Sequence, residues 1–515
     1  MADALFLIVL VPVLAALLVL CLPGRSVAVI RGVGLTGTLL ALGFAVAAYA
    51  LFDHGARGFQ FPFAVPWLTV PDAYEGAPLM IRFALGVDGI SMPLVALTGV
   101  VSVMAAIRSF TVEKRVKAHY FWQLALVAGL YGVFAAADMF TFFFFLESTL
   151  VATYFLIGIW GNERRQYAAV KFLIYRGAAS VILLAGLIGT AYAFAQQAEA
   201  VSTQVYLPFS PDFLSLSIHQ MLGEAAKFQL PTGTQNVLYL VFLLAVLMEE
   251  AFFPFHTWLP DAHEQSDTGT NMLIGGVLMK IGLYVLLRFA VGLLPQGLAD
   301  YAWLTGLIGV VSILYGAFVA CAQKDWRRLI AFSSISHMGL VLLAIASQQA
   351  IGLQGAVFML VSSGLLTALL FYTVGAQADR TKTFAIRNLG GLSKSLPVLS
   401  GVLLVAALGS VGLPGLSGFI SEFSLFVGSF AVFPALAAIG TGGMILAALY
   451  LLHAMQRTTF GPQRAEYDRL PDARPVEYVP MVALVALVVL IGVFPEVLGG
   501  VVHTTVQAFG AQIGG

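Results

Sequence analysis

The stretch LMEEAFFPFHTWLPDAH, Leu247 to His263, sets Glu249 and Glu250 side by side at the end of an apolar run and follows them with Pro254 and Pro260. Proline removes a backbone donor and clashes with the preceding turn, so a helix breaks there. At membrane depth the freed backbone groups must be met by protein or by water lining a cavity. A second interruption, VGLPGLSGF at Val411 to Phe419, splits another apolar run. Proline kinks are ordinary in membrane helices, but two breaks at matching places in two halves are how inverted-repeat transporters mark an ion path.

The surrounding composition fits that setting. Of 515 residues, 60% are hydrophobic and only 10% charged, against about a quarter charged in a soluble domain. Counting apolar runs of about twenty residues predicts an all-α polytopic membrane protein with about fourteen spans. These lie near 4–22, 28–51, 86–107, 118–136, 139–160, 168–195, 234–256, 267–290, 302–322, 328–348, 352–377, 397–428, 436–456 and 478–502. Spans four to eight and nine to thirteen form two five-helix repeats, with spans seven and twelve discontinuous. The corresponding segments are 1–115 with three helices, 116–295, 296–460, and 461–515 with the last helix and tail. The first span lacks a basic leader and a cleavage site, so it reads as retained.

Most of the 26 Lys and Arg residues fall in alternate loops, among them Lys114, Arg115, Arg164, Arg165, Lys324, Arg327, Arg328, Arg380 and Arg464. Arg57, Arg82, Lys227 and Arg288 fall on the opposite side. The positive-inside rule then places both termini away from the cytoplasm. Net charge is zero with no basic tail, which gives no sign of nucleic acid. Cys21 and Cys321 stand in separate apolar runs without metal-ligand spacing, which argues against a disulfide framework, a zinc site or an iron–sulfur cluster.

Ionisable groups inside spans are costly and mark pathways. The candidates are Glu147, Arg176, Glu249, Glu250, Lys280, His337 and Glu422. Acids, a lysine and a histidine at one depth suit proton transfer, because burial draws carboxylate and ammonium proton affinities toward each other. The competing reading is structural: ion pairs for Glu147 and Lys280, a satisfied core histidine for His337, and for Glu250 a side chain pointing to an aqueous break.

Five motifs carry a family resemblance: LGVDGISMPLVALT at 85–98, FFLESTLVATYFLIGIWG at 144–161, FPFHTWLPDAH at 253–263, KDWRRLIAFSSISHMG at 324–339 and LGSVGLPGLSGFISEF at 408–423. In this order they resemble the chain M family of antiporter-like, proton-translocating subunits of bacterial NADH:quinone oxidoreductase, respiratory complex I. The resemblance implies a chain without a redox centre in the bacterial inner membrane, beside two sister antiporter-like chains and lipids. Flavin, iron–sulfur clusters and quinone would belong to partner subunits. Glu147, Lys280, His337 and Glu422 match the family's proton path.

The departures are specific. Such chains usually carry a lysine seven residues ahead of His256, where Glu249 stands here. Ser363 occupies the place of a usual histidine, and Asp267 that of a usual proline. Arg176 stands in FLIYR where relatives commonly read FFLYT. We expect a relocated ion pair in which Arg176 faces Glu147 or Glu249; the alternative is that Arg176 snorkels to the cytoplasmic face. Other readings are a subunit of an Mrp-like cation/proton antiporter, or a coupling subunit of a membrane-bound hydrogenase or a carbon dioxide hydrating complex.

Overall fold

The computed structural model describes residues 2–56, 58–74, 77–201 and 230–513; Arg57 and Lys227 lie outside the described residues. Among the described residues, thirteen helices are long and apolar enough to cross a membrane, and two shorter apolar helices, Pro397–Ser410 and Ser417–Val432, join them. The apolar windows of Thr268–Val291 and Ala350–Thr381 are completely enclosed by other helices. Outer helices instead turn bare aliphatics outward, such as Val181 and Ile445. A helix apolar all round is an interior one, and a one-sided helix belongs at the rim.

Small residues let the helices close up. An added Cβ at Gly309 would sit 2.8 Å from the Gly339 carbonyl, and one at Gly339 would sit 2.7 Å from the Gly309 carbonyl. The helices Ala302–Cys321 and Trp326–Ser347 therefore meet backbone to backbone, as membrane helices do where small residues face each other.

Two sequence expectations need correction. The fold is not wholly α: strands Gln60–Tyr74 and Ala77–Val87 form an antiparallel hairpin before the third span. Its segments are too short and too broken by proline to read as spans, and the third helix accordingly starts at Ser91. Asp138 fastens this hairpin to the fifth span. It caps the helix Met139–Trp160 through the Thr141 amide at 2.8 Å and accepts the Ala84 amide at 2.9 Å.

The second correction concerns the eighth span, which reads as one apolar run. It is α-helical over Thr268–Gly276, tightens to a 3₁₀ turn at Leu278–Lys280, resumes at Ile281–Val285 and widens to a π segment at Leu286–Val291. Such departures often mark functional positions. The expected break in span twelve is present between Ser410 and Ser417, with Gly412 and Gly415 in the left-handed region.

Candidate functional site

The helix Thr232–Glu249 stops before the first proline of its break. Ala251 takes a left-handed conformation, and the Phe252 amide donates back to the Leu247 carbonyl at 2.9 Å, a Schellman closure. Both acids thereby sit in the last turn, beside carbonyls that repel negative charge and attract cations.

Arg176, from the helix Arg165–Val201, supplies the cation. Its Nη2 donates to the Glu249 carboxylate in a buried ion pair, and its Nη1 reaches the Glu249 carbonyl at 3.5 Å. The guanidinium lies against the rings of Phe172 and Trp258, 5.7 and 5.8 Å from their centroids. Arg176 is 2% exposed, so it does not snorkel to the surface. Of the two carboxylates proposed for it, the structure selects Glu249. Glu147 sits half-buried on the helix Met139–Trp160, within electrostatic reach of Glu249, and its buried Oε1 accepts no hydrogen bond from the protein.

Glu250 does not point into an aqueous break. It is completely buried, and its Oε1 accepts the amides of Gly282 at 2.7 Å and Leu283 at 3.3 Å, where the eighth span restarts after its 3₁₀ turn. The opposite charge that acts on it most strongly is Lys280, the last residue of that turn.

Lys280 is itself completely buried, with Nζ 3.8 Å from Met338 Sδ of the helix Trp326–Ser347. It acts electrostatically on both Glu250 and His337. His337 Nε2 meets the Ser410 carbonyl at 3.0 Å, at the lip of the broken twelfth span, and lies 4.0 Å from Glu422 Oε1. Its Nδ1 meets Ser333 at 3.4 Å, and Tyr450 donates to the same hydroxyl at 2.8 Å. His337 and Glu422 line a cavity with Ser334, Ser363, Thr367 and Ser410. Ser363 thus leaves hydroxyl-lined space where a histidine ring is usual, and Glu422 Oε2, buried in it, has no protein partner.

The remaining departure has a local cause. Asp267 caps the helix Thr268–Gly276 through the Thr270 amide at 3.1 Å and lies 3.6 Å from His119 Nε2, tasks proline cannot perform.

Sequence reading missed two further constellations. Arg288, assigned to a helix end, is buried in the π segment and grips Asp88 with both terminal nitrogens at 2.5 and 2.7 Å. The Asp88 carboxylate also accepts the amides of Ile90 and Ser91, so DGIS positions a buried counter-ion. On the basic face, the short helix Trp258–Gln265 joins distant helices. Asp261 binds Lys171 at 2.7 Å and Arg328 at 3.0 Å, and Glu264 binds Arg328 at 2.7 Å. Charges of opposite sign within WLPDAHE and KDWRR were visible, but not their meeting. No group of three or more metal-binding side chains occurs among the described residues.

Residues 136–449 match the family described as NADH:quinone oxidoreductase/Mrp antiporter, TM. The chain is 35% identical to the NAD(P)H-quinone oxidoreductase chain 4 1 of Microcystis aeruginosa, across 98% of its own length and 93% of the relative's. Its fold aligns with a chain of the respiratory complex I from Thermus thermophilus with bound NADH, at TM-score 0.86 and 30% identity, covering 99% of this chain and 100% of that one. It also aligns with a chain of the Mrp complex from Dietzia sp. DQ12-45-1b, at TM-score 0.78 and 21% identity over 99% of each, a likeness of fold alone.

Proposed function

Because the chain belongs to the NADH:quinone oxidoreductase/Mrp antiporter family of membrane subunits, we propose that it translocates protons as the antiporter-like subunit of a complex I type NADH:quinone oxidoreductase. Electron transfer in other subunits drives it. The observation that carries this reading is the series of buried and half-buried ionisable groups around the helix interruptions: Glu147, the Arg176–Glu249 pair, Lys280, His337 and Glu422. The carboxylates, the lysine and the histidine of this series can hand protons on in short steps, with Arg176 a fixed charge among them.

Counting the two short helices around 411–416 as one crossing gives fourteen spans in this reading, with five-helix repeats over 116–295 and 296–460. The interrupted helices at 250–257 and 411–416 support the repeats, since each is the fourth of its five. The crowding of Lys171, Arg327 and Arg328 on one face supports placing that face toward the cytoplasm of a bacterial inner membrane, with both termini opposite. The partners are the sister antiporter-like chains and lipid. Flavin, iron–sulfur clusters and quinone reside in other subunits. Near full-length identity to NAD(P)H-quinone oxidoreductase chain 4 favours this assembly over an Mrp-like antiporter.

The test is proton pumping by the assembled complex carrying Glu249→Lys and Arg176→Thr together. The reading expects the ratio of protons to electrons to change. Pumping and quinone reduction both indifferent to the double change would remove the pair from the path.

A further inference from the structure

We propose that Glu250 is a proton-carrying residue that exchanges a proton with Lys280, and that Glu249 serves to hold Arg176. The proposal rests on the translocation reading above and deepens it. The two adjacent acids have opposite surroundings. Glu249 is bonded to a guanidinium, which keeps its proton at any physiological pH. The Glu249 carboxylate so held is the partner of a fixed charge.

Glu250 is built differently. Backbone amides of Gly282 and Leu283 fix one oxygen, while the other, Oε2, is buried without any hydrogen-bond partner in the protein. A buried acceptor left unmet is costly unless a water or a proton completes it. The amides can donate to Oε1 whether the group is a carboxylate or a carboxylic acid. The anchor therefore survives the change of charge, and Oε2 is the atom that gains the proton.

The donor is at hand. Lys280 lies two residues ahead of the first amide that holds Glu250, is completely buried, and is the leading opposite charge acting on it. Its ammonium passes one proton through a bridging water to Glu250 Oε2, leaving an amine and a carboxylic acid. Charge and protons balance, and two buried ions become two neutral groups, which low dielectric favours. The reverse step reloads the lysine toward His337.

The backbone is shaped for this contact. A Cβ at Gly282 would lie 2.6 Å from Glu250 Cγ and 3.0 Å from its Oε1, so only glycine allows the carboxylate to seat. The 3₁₀ turn at Leu278–Lys280 frees the receiving amides, because an unbroken α-helix would spend them on its own carbonyls.

The experiment compares E250Q with the unaltered complex in sealed vesicles, measuring protons moved per electron together with quinone reduction. Glutamine keeps an oxygen for the Gly282 and Leu283 amides but cannot take up a proton. We expect normal assembly with a several-fold loss in protons per electron, and partial recovery in E250D. Pumping equal to the unaltered complex would overturn the proposal. Gly282→Ala, which displaces the carboxylate but keeps every ionisable group, should lower the same ratio, and unchanged pumping there would also overturn it. Glu147→Gln and Lys280→Met separate the two levels. If they stop pumping while E250Q does not, only the role of Glu250 fails; if all leave pumping intact, the translocation reading fails as well.

Discussion

A guanidinium in place of an ammonium changes what the end of the seventh span can do. Arg176 and Glu249 are 2% and 4% exposed, so each depends on the other for compensation. Arg176→Met should destabilise the chain by about 3–5 kcal/mol, the usual cost of leaving a buried charge unpaired. Arg176→Met with Glu249→Leu should recover most of that loss. Thermal unfolding of the purified complex measures both, and a double variant no better than the single would refute the coupling. The pairing was legible in the sequence because a sign reversal at 249 and a new cation at 176 imply each other. The seat of Glu250 was not legible. It depends on a helix that closes at Glu249 by a left-handed residue, ahead of the proline, and on amides exposed by a turn within LMKIGL that no residue type announces.

At the scale of elements, the interruptions hold their shape through close backbone contact. A Cβ at Gly418 would lie 2.0 Å from the Gly409 carbonyl, across the break of the twelfth span. Gly418→Ala should force the two short helices apart, costing about 1–3 kcal/mol as overpacked sites do. Because His337 is held at the Ser410 carbonyl there, pumping should fall with it. Normal pumping and stability in that variant would show that the break tolerates widening. Asp267→Ala should cost about 1 kcal/mol through loss of the cap on Thr268–Gly276, read as a lowered unfolding temperature. Breaks made by proline and glycine could be read from sequence, since those residues forbid continuation. The hairpin over 60–87 and the distorted eighth span could not, since their residues permit several conformations and tertiary contacts choose among them.

Over the whole molecule, distant helices are joined on the basic face by Asp261, which bridges Lys171 and Arg328. These side chains are 18–30% exposed, so Asp261→Asn should cost only about 1 kcal/mol. The loss should shrink as salt rises, since partly exposed pairs are screened; unfolding temperatures at low and high ionic strength check this. The long helix Ala350–Thr381 crosses the same molecule, and its 32 residues extend about 48 Å, well beyond a hydrocarbon core of about 30 Å. Near its C-terminal end Arg380 reaches Glu477 at 2.6 Å, which fastens the first turn of the helix Pro475–Val493. The acids at the end of the seventh span have a consequence for electroneutrality. Glu147, Glu249 and Glu250 act on one another across Arg176 and Lys280, so with these five groups ionised the cluster carries one surplus negative charge. One proton taken up cancels that surplus. In a membrane potential, where each elementary charge carried across 100 mV is worth about 2.3 kcal/mol, every proton that reaches or leaves this cluster does work with or against the field.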